Sequence, residues 1–255
     1  MSIKAIVKKI FQKLIGKTYD PFVLLKKEIE SKVIEKEFLE IYHLCKAYTM
    51  TSPERMYSLY KATRYVIEAK IPGDFVECGV WKGGSAMVIA ATLKQINVTN
   101  RYIYLYDTFE GMSEPTEYDV KNIPGGGVSI REYWEQNQKN DVNEWCYSSL
   151  GEVSENLQKT GYPTNMFKLT KGKVEDTIPG VKPEVIALLR LDTDWYESTK
   201  HELDNLYPNL VHKGVLIIDD YGSWAGAKKA VDEYFLSIPI LFNRVDTTGR
   251  IAIKI

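Results

Sequence analysis

Asp74-Phe75-Val76-Glu77-Cys78 runs directly into Gly79-Val80-Trp81-Lys82-Gly83-Gly84-Ser85. The first five residues read as a short strand ending in an acid. The next seven read as a glycine-rich turn that opens an alanine-rich helix over residues 85–93. Glycines there let the backbone turn sharply and come close to a ligand, while the start of the helix offers N–H groups without helical partners. A tight strand–helix connection would also need glycine, so the turn alone names no ligand. Glu77 adds information, because a carboxylate at this strand end repels a pyrophosphate and suits a cationic amino group. That favours S-adenosylmethionine over a nicotinamide dinucleotide.

Upstream, residues 1 to about 70 read as helical, with a break near Tyr19-Asp20-Pro21. In Thr51-Ser52-Pro53-Glu54, Ser52 is placed as N-cap and Pro53 at the first helical position of a helix running to about residue 69. Ile71-Pro72-Gly73 ends it. Downstream, strands are expected over residues 102–106, 166–170, 185–191, 214–218 and 250–254, and helices over 198–206 and 225–235. The runs at 185–191 and 214–218 are almost continuously apolar, as strands buried on both faces of a parallel sheet are. Alternation of this kind predicts an α/β protein with a mostly parallel, doubly wound, Rossmann-like sheet and an N-terminal helical extension. Residues 111–145 break the alternation with Pro124-Gly125-Gly126-Gly127 and a polar stretch. They are expected to form a lid or acceptor-binding insertion, or a plain surface excursion. The division expected is an arm at 1–45 and one domain at 46–255.

Composition narrows the function classes. The 255 residues are 44% hydrophobic and 26% charged with a formal net charge of −1, which gives no electrostatic reason to expect nucleic acid as a partner. Cys45, Cys78 and Cys146 have no disulfide or ligand spacing, which fits a reducing compartment and a cytoplasmic location. No apolar run is long enough to span a bilayer. Residues 1–17 form a basic amphipathic pattern that could rest on an anionic membrane, pack on its own domain or pack on a second subunit. A homo-oligomer is expected.

Asp107 ends the strand after the glycine-rich turn, where an acid typically accepts hydrogen bonds from ribose hydroxyls. Phe109 could pack near an adenine or in the core. The turn Gly172-Lys173-Val174-Glu175-Asp176 could line the adenine end through Asp176, or be a surface loop. Two acidic pairs follow the apolar strands: Asp192 and Asp194 after Leu191, and Asp219-Asp220 after Ile218. Both sit where open α/β sheets place ligands. Converging carboxylates repel one another unless a cation lies among them, and hard oxygen donors select Mg²⁺, Ca²⁺ or Mn²⁺. Such an ion would lower the pKa of a substrate hydroxyl. Asp194 could instead cap the helix that follows.

At this point the sequence resembles the macrocin/mycinamicin O-methyltransferase family. The matching stretches are Tyr48-Thr49-Met50-Thr51-Ser52-Pro53-Glu54-Arg55, the segment from Gly73 to Ser85, Tyr106-Asp107-Thr108-Phe109-Glu110-Gly111-Met112, Leu191-Asp192-Thr193-Asp194-Trp195-Tyr196-Glu197-Ser198-Thr199, and Gly214-Val215-Leu216-Ile217-Ile218-Asp219-Asp220-Tyr221. The resemblance implies S-adenosylmethionine as donor, with contacts at Glu77, Gly79, Ser85 and Asp107. It implies Mg²⁺ (or Mn²⁺) on Asp192, Asp219 and Asp220. It also implies a hydroxyl of a deoxysugar or related sugar as acceptor. The basic N-terminal arm and lysine-rich composition, which depart from the antibiotic-pathway members, count against a macrolide, so the sugar is expected on a nucleotide, a glycan or another glycosylated natural product. Asp192 is expected as general base as well as ligand, with Asp194 as the alternative. The rival from another class is a metal-dependent glycosyltransferase, which would use Asp-x-Asp to hold a nucleotide-sugar but leaves Glu77, the glycine-rich turn and the second pair without a role. A non-catalytic cofactor-binding scaffold is the other rival.

Overall fold

The structure, a computed structural model, describes residues 28, 34–119 and 129–255. The basic segment 1–17, the break at Tyr19-Asp20-Pro21 and Pro124-Gly125-Gly126-Gly127 lie outside the described residues. The chain divides into two compact units, Met1–Leu39 and Glu40–Ile255. Helix α1 spans Lys36–Cys45; every element below belongs to the second unit. No described helix is long and apolar enough to cross a membrane.

Helix α2 (Pro53–Glu68) begins as its sequence dictates, with Ser52 accepting the Arg55 N–H and proline in the first turn. Strand β1 (Asp74–Cys78) leads into α3 (Gly84–Gln95), and β2 (Ile103–Asp107) follows. Helix α4 (Ile130–Gln136) and the two-stranded hairpin β3 (Gln138–Lys139) and β4 (Val142–Asn143) lie in the insertion. Next come α5 (Leu150–Gln158), β5 (Phe167–Lys171), the short α6 (Val174–Thr177) and β6 (Ile186–Leu191). The chain ends with α7 (Tyr196–Leu206), β7 (Leu210–Ile218), α8 (Ala225–Tyr234), β8 (Asn243–Arg244) and β9 (Arg250–Ile253).

Seven strands form one sheet in the order β5-β2-β1-β6-β7-β9-β8. The first five are parallel, and β9 turns antiparallel to both β7 and β8. The chain winds outward from β1 through β2 to β5, then returns to lay β6 against the other edge of β1. The carboxyl ends of β1 and β6 therefore flank the switch point where such sheets open a crevice. All six residues of β6 are buried, as a strand covered on both faces requires.

Side chains alternate between the two faces of each strand. Val76, Cys78, Leu189, Leu191, Leu216 and Ile218 share a core with Leu203 and Leu206 of α7 and Val231 of α8. Glu77 and Arg190 alternate with these residues and so point to the opposite face. They are register partners on adjacent strands, and their side chains meet at 2.6 Å with both almost wholly buried. The same guanidinium reaches Asp192 at 2.7 Å and Asp219 at 2.8 Å. One cation thus ties together the ends of β1, β6 and β7. Arg55 of α2 takes the other oxygen of Asp219 and reaches Asp246 at 2.9 Å.

Two segments differ from the sequence expectation. The insertion is not wholly irregular, because Ser129 and Glu132 form a reciprocal capping box that starts α4. Helix α5 was not anticipated either, although Ser149 caps it by accepting the Glu152 N–H. The flanks of the insertion are stitched to the domain: Asn143 N–H donates to Glu110 C=O at 2.8 Å and Met112 N–H to Trp145 C=O at 3.0 Å. The Tyr196 N–H, at the start of α7, donates to buried Asp119 at 2.7 Å.

Gly79 shows how closely the strand ends approach. Its φ is +79°, and a Cβ there would lie 1.9 Å from the Asp192 carbonyl oxygen. Gly79→Ala is expected to destabilise the protein by about 1–3 kcal/mol, read as a lower urea midpoint with an unchanged slope. Arg190→Met would leave Glu77, Asp192 and Asp219 without their shared cation. It should cost about 3–5 kcal/mol in the same measurement; a loss under about 1 kcal/mol would show that the network is not a structural tie.

Candidate active site

A cavity of about 310 Å³ opens at the carboxyl ends of the strands. Its lining includes Glu77, Gly79, Ser85, Asp107, Asp192, Asp194, Asp219 and Asp220, so eight of the residues singled out from sequence come together in one place. Phe109 and Asp176 are not among the lining residues. Phe109 is buried in the core at a left-handed φ of +51°. Asp176 points to solvent, and its neighbour Glu175 faces the cavity instead, accepting a hydrogen bond from the Ser198 hydroxyl at 2.7 Å.

The glycine-rich turn is held from the next strand. Asp107 Oδ2 accepts the N–H groups of Val80 at 2.7 Å and Trp81 at 3.0 Å, and Oδ1 accepts that of Phe109 at 2.7 Å. Asp107 therefore fixes the turn as well as facing the cavity. Glu77 Oε1 is bound by Arg190, but Oε2 is buried with no hydrogen-bond partner. Burial pushes the Glu77 carboxyl up to about 7, against the pull of Arg190. An unmatched carboxyl oxygen at the cavity wall suits a cationic donor from a ligand.

Across the cavity, carboxylate oxygens of Asp192, Asp194 and Asp220 lie within 4.8 Å of one another. Burial raises all three: Asp194 is pushed up to about 7, and Asp192 and Asp220 well above the usual carboxylate range, each reinforced by its acidic neighbours. Asp219 lines the same cavity, but its two oxygens are taken by Arg190 and Arg55. Asp194 adopts a φ of +65°, unusual for a non-glycine residue, as the backbone turns its carboxyl toward the cluster. Crowded acids with all-oxygen donor atoms fit a hard divalent cation.

Sequence reading missed Arg190, Arg55, Trp145 and Trp224. Arg190 left a signal: a lone cation inside an apolar strand must have buried acidic partners. Arg55 stood within a quoted stretch, yet nothing local indicates that it reaches Asp219, 164 positions away. Trp145 and Trp224 both line the cavity, and their sequence context distinguishes neither from a core residue.

Known proteins resemble this chain in sequence and in fold. The family model described as Macrocin-O-methyltransferase (TylF) matches residues 43–251. The 8-demethyl-8-(2,3-dimethoxy-alpha-L-rhamnosyl)-tetracenomycin-C 4'-O-methyltransferase of Streptomyces olivaceus is 33% identical over 207 residues, covering 80% of this chain and 74% of its own. The mycinamicin III 3''-O-methyltransferase of Micromonospora griseorubida is 31% identical over 188 residues, covering 74% of this chain and 70% of its own. The solved structure of the O-methyltransferase NovP superposes with a TM-score of 0.70 at 29% identity, covering 81% of this chain and 82% of that one. The glycosyltransferase alternative finds no support in these relatives. With its switch-point cavity, its Rossmann-like class I methyltransferase fold and a family match over most of its length, the chain belongs to the macrocin O-methyltransferase family and is an S-adenosylmethionine-dependent O-methyltransferase.

Proposed function

We propose that this enzyme moves the methyl group of S-adenosylmethionine to a sugar hydroxyl with the help of Mg²⁺ or Mn²⁺. The observation that carries the proposal is the convergence of Asp192, Asp194 and Asp220 in the same cavity as the glycine-rich turn and Glu77. A sugar acceptor is supported by relatives whose names specify rhamnosyl and 3''-hydroxyl methylation.

On the donor side, Glu77 offers its unpartnered oxygen to the amino group of the methionine moiety. Gly79 and Ser85 let the cofactor approach the backbone at the turn, and Asp107 faces the ribose. S-adenosylmethionine supplies an electrophilic methyl on its sulfonium, and holding donor and acceptor in line supplies much of the rate. On the acceptor side, Asp192 and Asp220 would hold the cation. When bound, the cation lowers the pKa of the acceptor hydroxyl. Asp194 takes the hydroxyl proton in this reading, in preference to Asp192, because one Asp192 oxygen is already held by Arg190 at 2.7 Å and Asp192 is assigned to the cation. Asp219 is assigned to fixing the end of β7, since both of its oxygens are engaged by arginines.

Methyl transfer to a panel of glycosides and nucleotide-sugars should occur and should be abolished by EDTA. Full activity in EDTA would remove the cation, and turnover of only non-sugar alcohols would remove the sugar. Asp192→Asn and Asp220→Asn are each expected to weaken Mn²⁺ binding by at least about tenfold in calorimetry while S-adenosylmethionine still binds. Asp219→Asn should weaken it less; an equal loss would place Asp219 in the ligand set. Asp194→Asn should bind both ligands and lose about 10²–10⁴-fold in kcat. Loss of Mn²⁺ binding in that variant would make Asp194 a ligand instead of the base.

A further inference from the structure

The cavity has an aromatic wall beside its acidic one. Trp195 follows Asp194 directly, is 2% exposed, and donates its indole N–H to the Ser113 carbonyl at 2.9 Å. Two more indoles meet it edge-on: Trp145 with ring centroids 5.7 Å apart at 74°, and Trp224 at 5.1 Å and 83°. These outer rings are 6.0 Å apart and inclined at 50° to each other. Both are only half-buried and both line the cavity. Trp224 donates its backbone N–H to the Asp220 carbonyl at 3.0 Å, so one end of the aromatic wall is one turn of chain from the acid cluster. Tyr133 braces Trp145 with an edge contact at 4.9 Å.

A ligand that fills this place must be apolar on one side and rich in hydroxyls on the other. A purely apolar group would leave the carboxyls unmatched, and a small polar alcohol would leave the indoles wet. A pyranose has both characters in one ring: axial C–H bonds on a face, hydroxyls around the edge. The electron-rich face of an indole attracts such polarised C–H groups, and the two cavity-lining rings, in contact with each other, offer one continuous aromatic surface. We propose that Trp145 and Trp224 form the aromatic wall on which one face of the acceptor's sugar ring packs, turning its hydroxyl toward Asp194 and Asp220. Trp195 is the positioning residue that holds the two rings in one wall. The inference rests on the sugar-acceptor reading above and names the residues that recognise the ring.

The test uses glycosides that the wild-type enzyme methylates. Trp145→Ala and Trp224→Ala should each raise the KM for glycoside by at least about tenfold, equivalent to about 1.4 kcal/mol, with kcat changing far less. The Phe replacements should recover most of the lost affinity. Calorimetry with S-adenosylmethionine serves as the folding check and should give affinities close to wild type. In the wild-type enzyme carrying S-adenosylhomocysteine, added glycoside should quench tryptophan fluorescence. Glycoside turnover with unchanged KM in both Ala variants, or no quenching, would overturn the aromatic wall as the sugar site and leave the sugar reading intact. A wild-type enzyme that methylates other alcohols but no glycoside would overturn both.

Discussion

A single buried guanidinium holds the working edge of this enzyme together. Arg190 sits in the middle of the sheet and binds Glu77, Asp192 and Asp219, which stand at the ends of three adjacent parallel strands. A buried cation without acidic partners would be prohibitively costly, and so would these acids without a cation. Each therefore makes the others tolerable. The side of the cavity marked by Glu77 and the acidic side marked by Asp192 are fixed relative to each other through one side chain.

That tie leaves charge over. Arg190 is shared among three carboxylates, and Arg55 serves only Asp219 among the acids of the cavity wall. Asp194 and Asp220 are left beside Asp192 with burial and mutual repulsion raising their proton affinities. A protein fold gains nothing from such crowding by itself. Under the proposed function it is the condition of a site whose stable form includes a cation.

The insertion gives the cavity its second character. Its ends are bonded to Glu110 and to the start of α7, and it delivers Trp145 against Trp195 and Trp224. Carboxyls and indoles thus face one space from different parts of the chain. The acids come from strand ends fixed by sheet register, the indoles from loops that the same strand ends support.

The strands and most of the acids were legible in the sequence. Asp107, Asp192 and Asp220 could be placed at strand ends because apolar runs of strand length stop just before them, Glu77 because the glycine-rich turn follows it, and a parallel sheet brings such ends to one edge. Ser52 and Pro53 likewise announced α2 through backbone chemistry local to four residues. The capping box at Ser129 was equally local and was legible, but the surrounding glycines and polar residues concealed it. Which neighbours share a charge became visible only in the folded chain. Whether Asp219 faces a cation site or two arginines depends on Arg55, far away in sequence, and on the side of the sheet that Arg190 occupies. Whether Asp176 or Glu175 faces the cavity depends on the rotation of one short helix. Phe109 became core instead of lining because its backbone turns left-handed beside Asp107. Glu77, the acid that leads into the glycine-rich turn, thus has its partner in Arg190, whose charge is set by its codon but whose role is set by the three strands packed around it.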